Sequence, residues 1–318
     1  MLPISYSVAI RTLGQAKEKY QTLLDSLREQ TWPPSRIVVY IAEGYTLPKE
    51  TILQEQYVYV KKGMVAQRAL SYDEIDTEYI LFLDDDVYLP PNSVELLFMQ
   101  MIENHADVIS PDVFANSDRS MFSSILMSVS GRMWPRYKDE LYGYQVMKTA
   151  GYSYNANPIK PVYWSQTNAG PCFLCKKSTM LAIHFEEELW LDRLKYAQGD
   201  DQAMFYKMHM NGYKQLTSYN SGIVHLDAGG NRSQEKEKML IYSDFRFKTI
   251  FWHRFIYTPE SVFYNKLLAC FAIGYAFVFA LLISIFRLRF DILSIKFSAM
   301  KDGVRFIQSD EYKSLPKI

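Results

Sequence analysis

Leu81-Phe82-Leu83-Asp84-Asp85-Asp86-Val87 is the stretch on which both fold and chemistry turn. Its first three residues read as the end of a buried strand, and three carboxylates follow without a break. Adjacent acids repel one another and lose solvation when half buried, so such a run persists where something positive sits among them. A hard divalent cation is one such partner. Carboxylates select Mg²⁺ or Mn²⁺, and Mg²⁺ is held by one or two of them together with waters and substrate phosphates. The carboxyl end of a parallel strand is also where open α/β sheets bind ligands. An exposed acidic turn or a helix N-cap would use the same residues without chemistry.

Outward from this stretch, apolar runs at 5–10, 36–41, 57–60, 79–83 and 107–110 predict strands. Between them, Tyr20, Leu23, Leu24 and Leu27 recur at helical spacing within 16–30, residues 64–72 read as a further helix, and Val94, Leu97, Phe98 and Met101 form a stripe after Pro90 and Pro91. Alternating strand and helix predicts a mostly parallel sheet with right-handed crossovers. Residues 115–165, rich in Tyr, Trp, Asn, Gly and Pro, lose the periodicity and read as loops. Strands are expected again at 170–175 and 221–225, with a helix at 202–210 between them.

With 318 residues, 48% of them hydrophobic, 15% aromatic and 22% charged, the chain has too much apolar surface to stay disordered. Basic and acidic residues number 35 each, so no global field favours nucleic acid, and none is expected as a partner. Three cysteines are too few for a disulfide scaffold, and Cys172 and Cys175 lack the second pair that a zinc site needs. No signal peptide is evident at the start, so the bulk of the chain is expected in the cytoplasm.

Residues 267–286 contain no charge and would span roughly 30 Å as a helix, the thickness of a bilayer core. Basic residues follow at Arg287, Arg289, Lys296, Lys301, Arg305, Lys313 and Lys317, and belong with the globular part on the cytoplasmic side. A single span would separate them from it. A hairpin bent around Gly274, or a helix lying in the interface, would not. The expected division is a catalytic domain over 1–245 and a membrane-anchoring region over 246–318.

Ala9-Ile10-Arg11-Thr12, Ala42-Glu43-Gly44, Lys62 to Arg68, Phe82 to Val87, Asn168-Ala169-Gly170-Pro171, Gly199-Asp200-Asp201-Gln202 and Val224-His225, in that order over roughly residues 5–230, together resemble the family 2 glycosyltransferases of GT-A fold. The resemblance implies an α/β fold and inverting transfer from a nucleotide-diphosphate sugar with Mg²⁺ or Mn²⁺. The acceptor it implies is a glycan, here expected to be lipid-linked, met at the cytoplasmic face of the cell inner membrane. Thr12 and Glu43 would border the nucleobase, Arg68 the base or the diphosphate, and Asp84 the ribose, with Asp85 in support. Asp86 would bind the metal, joined by His225. The base would come from Asp200 and Asp201, with Asp201 preferred, because an acceptor hydroxyl must lose a proton as it attacks the anomeric carbon. Tyr163 and Trp164 belong to the aromatic segment that would meet the acceptor sugar. Where the family has paired aspartates before a glycine, this chain has Ala42 and Glu43. That departure also permits a catalytically degenerate, membrane-bound scaffold that binds nucleotide sugars.

Overall fold

Strand β1 (Tyr6–Thr12) is buried along its length except at Arg11, as a strand covered on both faces must be. The computed structural model, which describes residues 3–52, 54–113, 121–138, 140–196, 198–226 and 233–318, sets it inside an eight-stranded sheet. After α1 (Glu18–Arg28) come β2 (Arg36–Ala42), β3 (Glu55–Val60) and β4 (Tyr79–Asp84). β1 pairs in parallel with β2 on one side and β4 on the other, and β3 adds in parallel beyond β2. This register sets Arg11 directly opposite Asp84. β5 (Val87–Tyr88), α2 (Ser93–Glu103) and β6 (Val108–Pro111) follow. The stripes of α1 and α2, Leu23, Leu24, Leu27, Leu97 and Phe98 among them, close over one face of the sheet. Each such side chain contributes roughly 1.5–3 kcal/mol by leaving water.

The expected helix over 64–72 is instead a set of turns. The Arg68 carbonyl, which would accept from the Tyr72 amide in a helix, accepts from the Tyr72 hydroxyl, and Tyr72 itself has a left-handed φ of 54°. The stretch 115–165 also differs from its reading as loops. It holds α3 (Met121–Val129), β7 (Met133–Arg136), β8 (Tyr144–Val146), β9 (Tyr152–Asn155) and β10 (Val162–Ser165). β7, β9 and β8 form a small sheet of their own, and strands of three or four residues are too short for a legible period.

β11 (Cys172–Lys176), α4 (Lys177–Ala182), α5 (Asp200–Met210), β12 (Gln215–Ser218) and β13 (Val224–His225) complete the sheets. β11 runs antiparallel to both β4 and β6, so the sheet is mixed at this point. Cys172 and Cys175 face opposite sides of β11 in the two core clusters, and burial pushes both thiols up. β12, which no motif announced, pairs in parallel with β6.

Helices α6 (Gln234–Phe251), α7 (Phe263–Phe286), α8 (Phe290–Gln308) and α9 (Asp310–Ser314) form the C-terminal part. α6 runs unbroken across position 245, and Phe247, Phe251, Phe255 and Phe306 join the core on the second face of the sheet. Fully buried Glu188 binds this part to the rest: it accepts from Arg254 at 2.8 Å, Lys207 at 3.2 Å and the Trp190 indole at 2.7 Å. α7 is long and apolar enough to cross a membrane. It is continuous through Gly274, so no bend occurs there, and the chain reverses only between α7 and α8.

Candidate active site

The carboxyl ends of β1 and β4, the turn carrying Arg68 and the start of α5 converge on one cluster of charges. Asp84, ending β4, is held by Arg11 through Nε and, at 3.0 Å, Nη2. Arg11 Nη1 also reaches Asp200 at 3.3 Å. Arg68, only 3% exposed, lies on Asp201 and 3.2 Å from Asp200, with Nη2 3.9 Å from Asp84. Two arginines thus bind three acids from a strand and a helix far apart in sequence. Arg11 is a site residue that motif reasoning passed over. A charged side chain directly after the apolar run Tyr6-Ser7-Val8-Ala9-Ile10 was the available signal.

Arg68 is aimed by its turn. The Asp192 carboxylate accepts from the amides of Val65 at 2.8 Å and Ala66 at 3.0 Å, and Gln67 Nε2 donates to the Thr12 carbonyl at 3.2 Å. Gly170 closes the arrangement: its amide donates to Asp201 Oδ2 at 3.0 Å and its carbonyl accepts from Arg68 Nη2 at 3.0 Å. A Cβ on residue 170 would run into both side chains. The two acids at the start of α5 differ in consequence. Asp200 is buried between the arginines, whereas Asp201 is partly exposed and lines a cavity of about 550 Å³.

The Thr12 hydroxyl donates to Asp85 and accepts from the Gly14 amide at 2.7 Å, so Thr12 is occupied in shaping the acidic turn. Burial pushes the Asp85 carboxyl up to about 6; the Thr12 hydrogen bond opposes this and the charges of Asp86 and Asp84 add to it. Asp86 Oδ1 lies 3.0 Å from His225 Nε2, brought there by the antiparallel pairing of β5 with β13. No group of three or more His, Cys, Asp or Glu side chains is placed to hold a metal among the described residues. One carboxylate and one imidazole, both partly accessible, nevertheless fit a dication whose other ligands are phosphate oxygens and waters.

The other expected residues lie further off. Glu43 is exposed just past β2 and, among the described residues, makes no side-chain hydrogen bond or ion pair with the cluster. Tyr163 is 3% exposed, and its hydroxyl accepts from the amides of Ile159 at 2.8 Å and Lys160 at 3.0 Å, so it holds a loop. Trp164 lines a separate cavity with His209 and Tyr213. The aromatics beside Asp201 are instead Tyr144 and Tyr152, which also line a neighbouring cavity of about 700 Å³.

Residues 7–156 match the model of Glycosyl transferase family 2. That stretch is just under half of the chain, and the mostly parallel sheet flanked by helices to which it contributes has the arrangement of the GT-A fold. Among solved structures, S. aureus TarS is similar at 14% identity and a TM-score of 0.47, over 85% of this chain and 43% of that one. GalNAc-T7, solved with UDP, GalNAc and Mn²⁺, is similar at 13% identity and a TM-score of 0.49, over 87% and 55%. The chain thus spans about half the length of each. No curated protein matches it.

Proposed function

We propose that the protein transfers one sugar, with inversion, from a nucleotide-diphosphate sugar to a hydroxyl of a lipid-linked glycan. The observation that carries this reading is Asp201 on the cavity wall, oriented by the Gly170 amide and Arg68 while Asp200 stays buried. A carboxylate so held can take the proton of an acceptor hydroxyl as it attacks the anomeric carbon. A single base suits direct displacement, and no second carboxylate nucleophile is required. Arg11 and Asp84 present a polar floor at the strand ends for the nucleotide, and Tyr144 and Tyr152 offer flat faces to the acceptor sugar.

Mg²⁺ or Mn²⁺ would be held by Asp86 and His225 together with the donor's phosphates. Bound there, it would offset the negative charge that grows on the departing diphosphate.

The membrane half of the proposal rests on α7. The Trp252 indole donates to the helix's Ala269 carbonyl at 3.1 Å and Lys296 Nζ to its Ala280 carbonyl at 2.8 Å, both within 246–318, and its Tyr275 hydroxyl reaches the Val129 carbonyl at 2.6 Å. Its outer side exposes Phe263, Phe271, Val278 and Phe286, followed by Leu288. A helix packed on its neighbours on one side and apolar on the other suits the plane of the interface better than a crossing, with Arg287 and Arg289 on anionic headgroups. Residues 246–318 then attach residues 1–245 to the cytoplasmic face of the cell inner membrane.

Incubation with a panel of nucleotide sugars and Mn²⁺ tests the chemistry. Sugar release that falls by about 10²–10⁴-fold in Asp201→Asn, with nucleotide affinity kept, is the expected result. Nucleotide binding without turnover of any donor would leave only the scaffold.

A further inference from the structure

A further cavity, of about 320 Å³, lies between α6, α7, α8 and the end of α3. Five cations line it, Arg132, Lys248, Arg287, Arg289 and Lys296, against two acids, Glu237 and Asp244. The acids are already engaged. Asp244 takes Lys248 at 3.0 Å and the Gln198 amide at 3.1 Å, and Glu237 lies 3.9 Å from Arg289. Lys296 Nζ has neutral partners, the Ala280 carbonyl and, at 2.9 Å, Ser284 Oγ. Neither the Arg132 nor the Arg287 guanidinium makes a hydrogen bond or ion pair among the described residues, although, against burial and together with Lys248, the charge of Arg132 helps to hold the Asp244 carboxyl down. Burial pushes Lys296 down to about 8, as expected of a cation without enough negative charge nearby.

Two further facts fix what such a site could take. Its outer wall is α7, the helix whose other side exposes Phe271, Val278 and Phe286. Its inner wall is shared: Met127, Arg132, Asp244 and Lys248 also line the cavity that holds Asp201. A ligand spanning this path needs an apolar part outside, an anionic part at the basic residues and a hydroxyl-bearing part inward.

We infer that the basic cavity between α6, α7 and α8 binds the phosphate of an amphiphilic acceptor, with its hydrocarbon along α7 and its sugar directed at Asp201. This deepens the transferase reading and rests on it for the role of Asp201. Guanidinium groups with unused donors are suited to phosphate, which they engage by paired hydrogen bonds. The cavity thereby holds the acceptor by its linkage, whatever sugar follows.

The test uses the full chain in detergent micelles, without divalent cation so that the Asp86 site does not recruit phosphate. Farnesyl phosphate, farnesol and inorganic phosphate are titrated against wild type, Arg132→Gln and Lys296→Gln. Arg132 is exposed, and glutamine at 296 keeps a donor for Ser284, so both variants should fold, which an unchanged melting temperature verifies. Farnesyl phosphate should bind at least tenfold more tightly than farnesol or inorganic phosphate, and each variant should weaken it at least tenfold. Equal binding by wild type and both variants overturns the subsite. Inorganic phosphate binding as tightly as farnesyl phosphate overturns the lipid source. Nucleotide binding with Mn²⁺ is measured in parallel and should be unchanged in both variants. Should it be missing even in wild type while farnesyl phosphate still needs Arg132 and Lys296, the subsite stands and the transferase reading falls.

Discussion

Arg68 holds Asp201 from below while Gly170 holds it from the side, so the acid beside the cavity is fixed at both oxygens. Arg68 is also 3.2 Å from Asp200, which makes one buried cation the partner of both acids that open α5. Asp201 is the one of the two that remains accessible.

Replacing Arg68 by Met should therefore damage stability as well as turnover. Removing one partner of a buried ion pair costs about 3–5 kcal/mol, because the remaining charge is left uncompensated. Arg11 still reaches Asp200 at 3.3 Å, so the lower end is expected. Chemical denaturation should show the loss, and Arg68→Lys should recover only part of it, since a lysine cannot bridge Asp201, Asp200 and the Gly170 carbonyl together.

Gly170→Ala is the smallest change that should disable the site. The added methyl meets the Asp201 carboxylate and the Arg68 guanidinium, so one of them must move. Overpacking of this kind costs about 1–3 kcal/mol. Sugar transfer should fall far more than the melting temperature suggests, while alanine at Gly274, which lies inside α7 with nothing near a Cβ, should leave packing undisturbed.

Asp86→Ala and His225→Ala address the dication. Disturbing even the groups around metal ligands costs about 10–100-fold in affinity, so losing either side chain should raise the Mn²⁺ needed for half-maximal transfer by at least that factor. EDTA should abolish transfer in wild type. Activity that survives both chelation and Asp86→Ala would remove the metal from the proposal.

Lys296 sets a pH dependence. Its folded pKa, about 8, lies below the ordinary 10.5, because burial disfavours the ammonium while Asp244 opposes this and Lys248, Arg287 and Arg132 add to it. The unfolded chain then binds more protons between those values, so the contribution of this residue to stability rises as pH increases from about 8 towards 10.5. Melting curves should show a steeper rise over that window in wild type than in Lys296→Gln. Equal slopes would mean that Lys296 is not held as the structure has it.

The strands at 36–41 and 79–83 and the stripes of the first two helices were legible because continuous apolar runs and helical spacing dictate burial on two faces and on one. The acidic turn at 84–86 was legible because carboxylates so crowded need compensation, whereas the pair at 200–201 was singled out through the family resemblance. Their compensation was not legible. Arg11 and Arg68 reach Asp84, Asp200 and Asp201 only through the pairing of β1 with β4 and the turn that Asp192 holds, contacts across 73 to 189 residues of chain. Short strands such as β8 and β9 were likewise hidden, since three or four residues carry too little pattern to separate them from loop.

The sequence by itself determined a mostly parallel α/β sheet with acids at its strand ends and an apolar helix near the C-terminus, because local periodicity and charge crowding are properties of neighbouring residues. Only the tertiary structure decided which acid stays open to the cavity, which tyrosines line it, that β11 runs against its neighbours, and that α7 packs beside α8. Those outcomes depend on which distant surfaces bury one another, and an all-apolar helix or an isolated arginine carries no record of its partner.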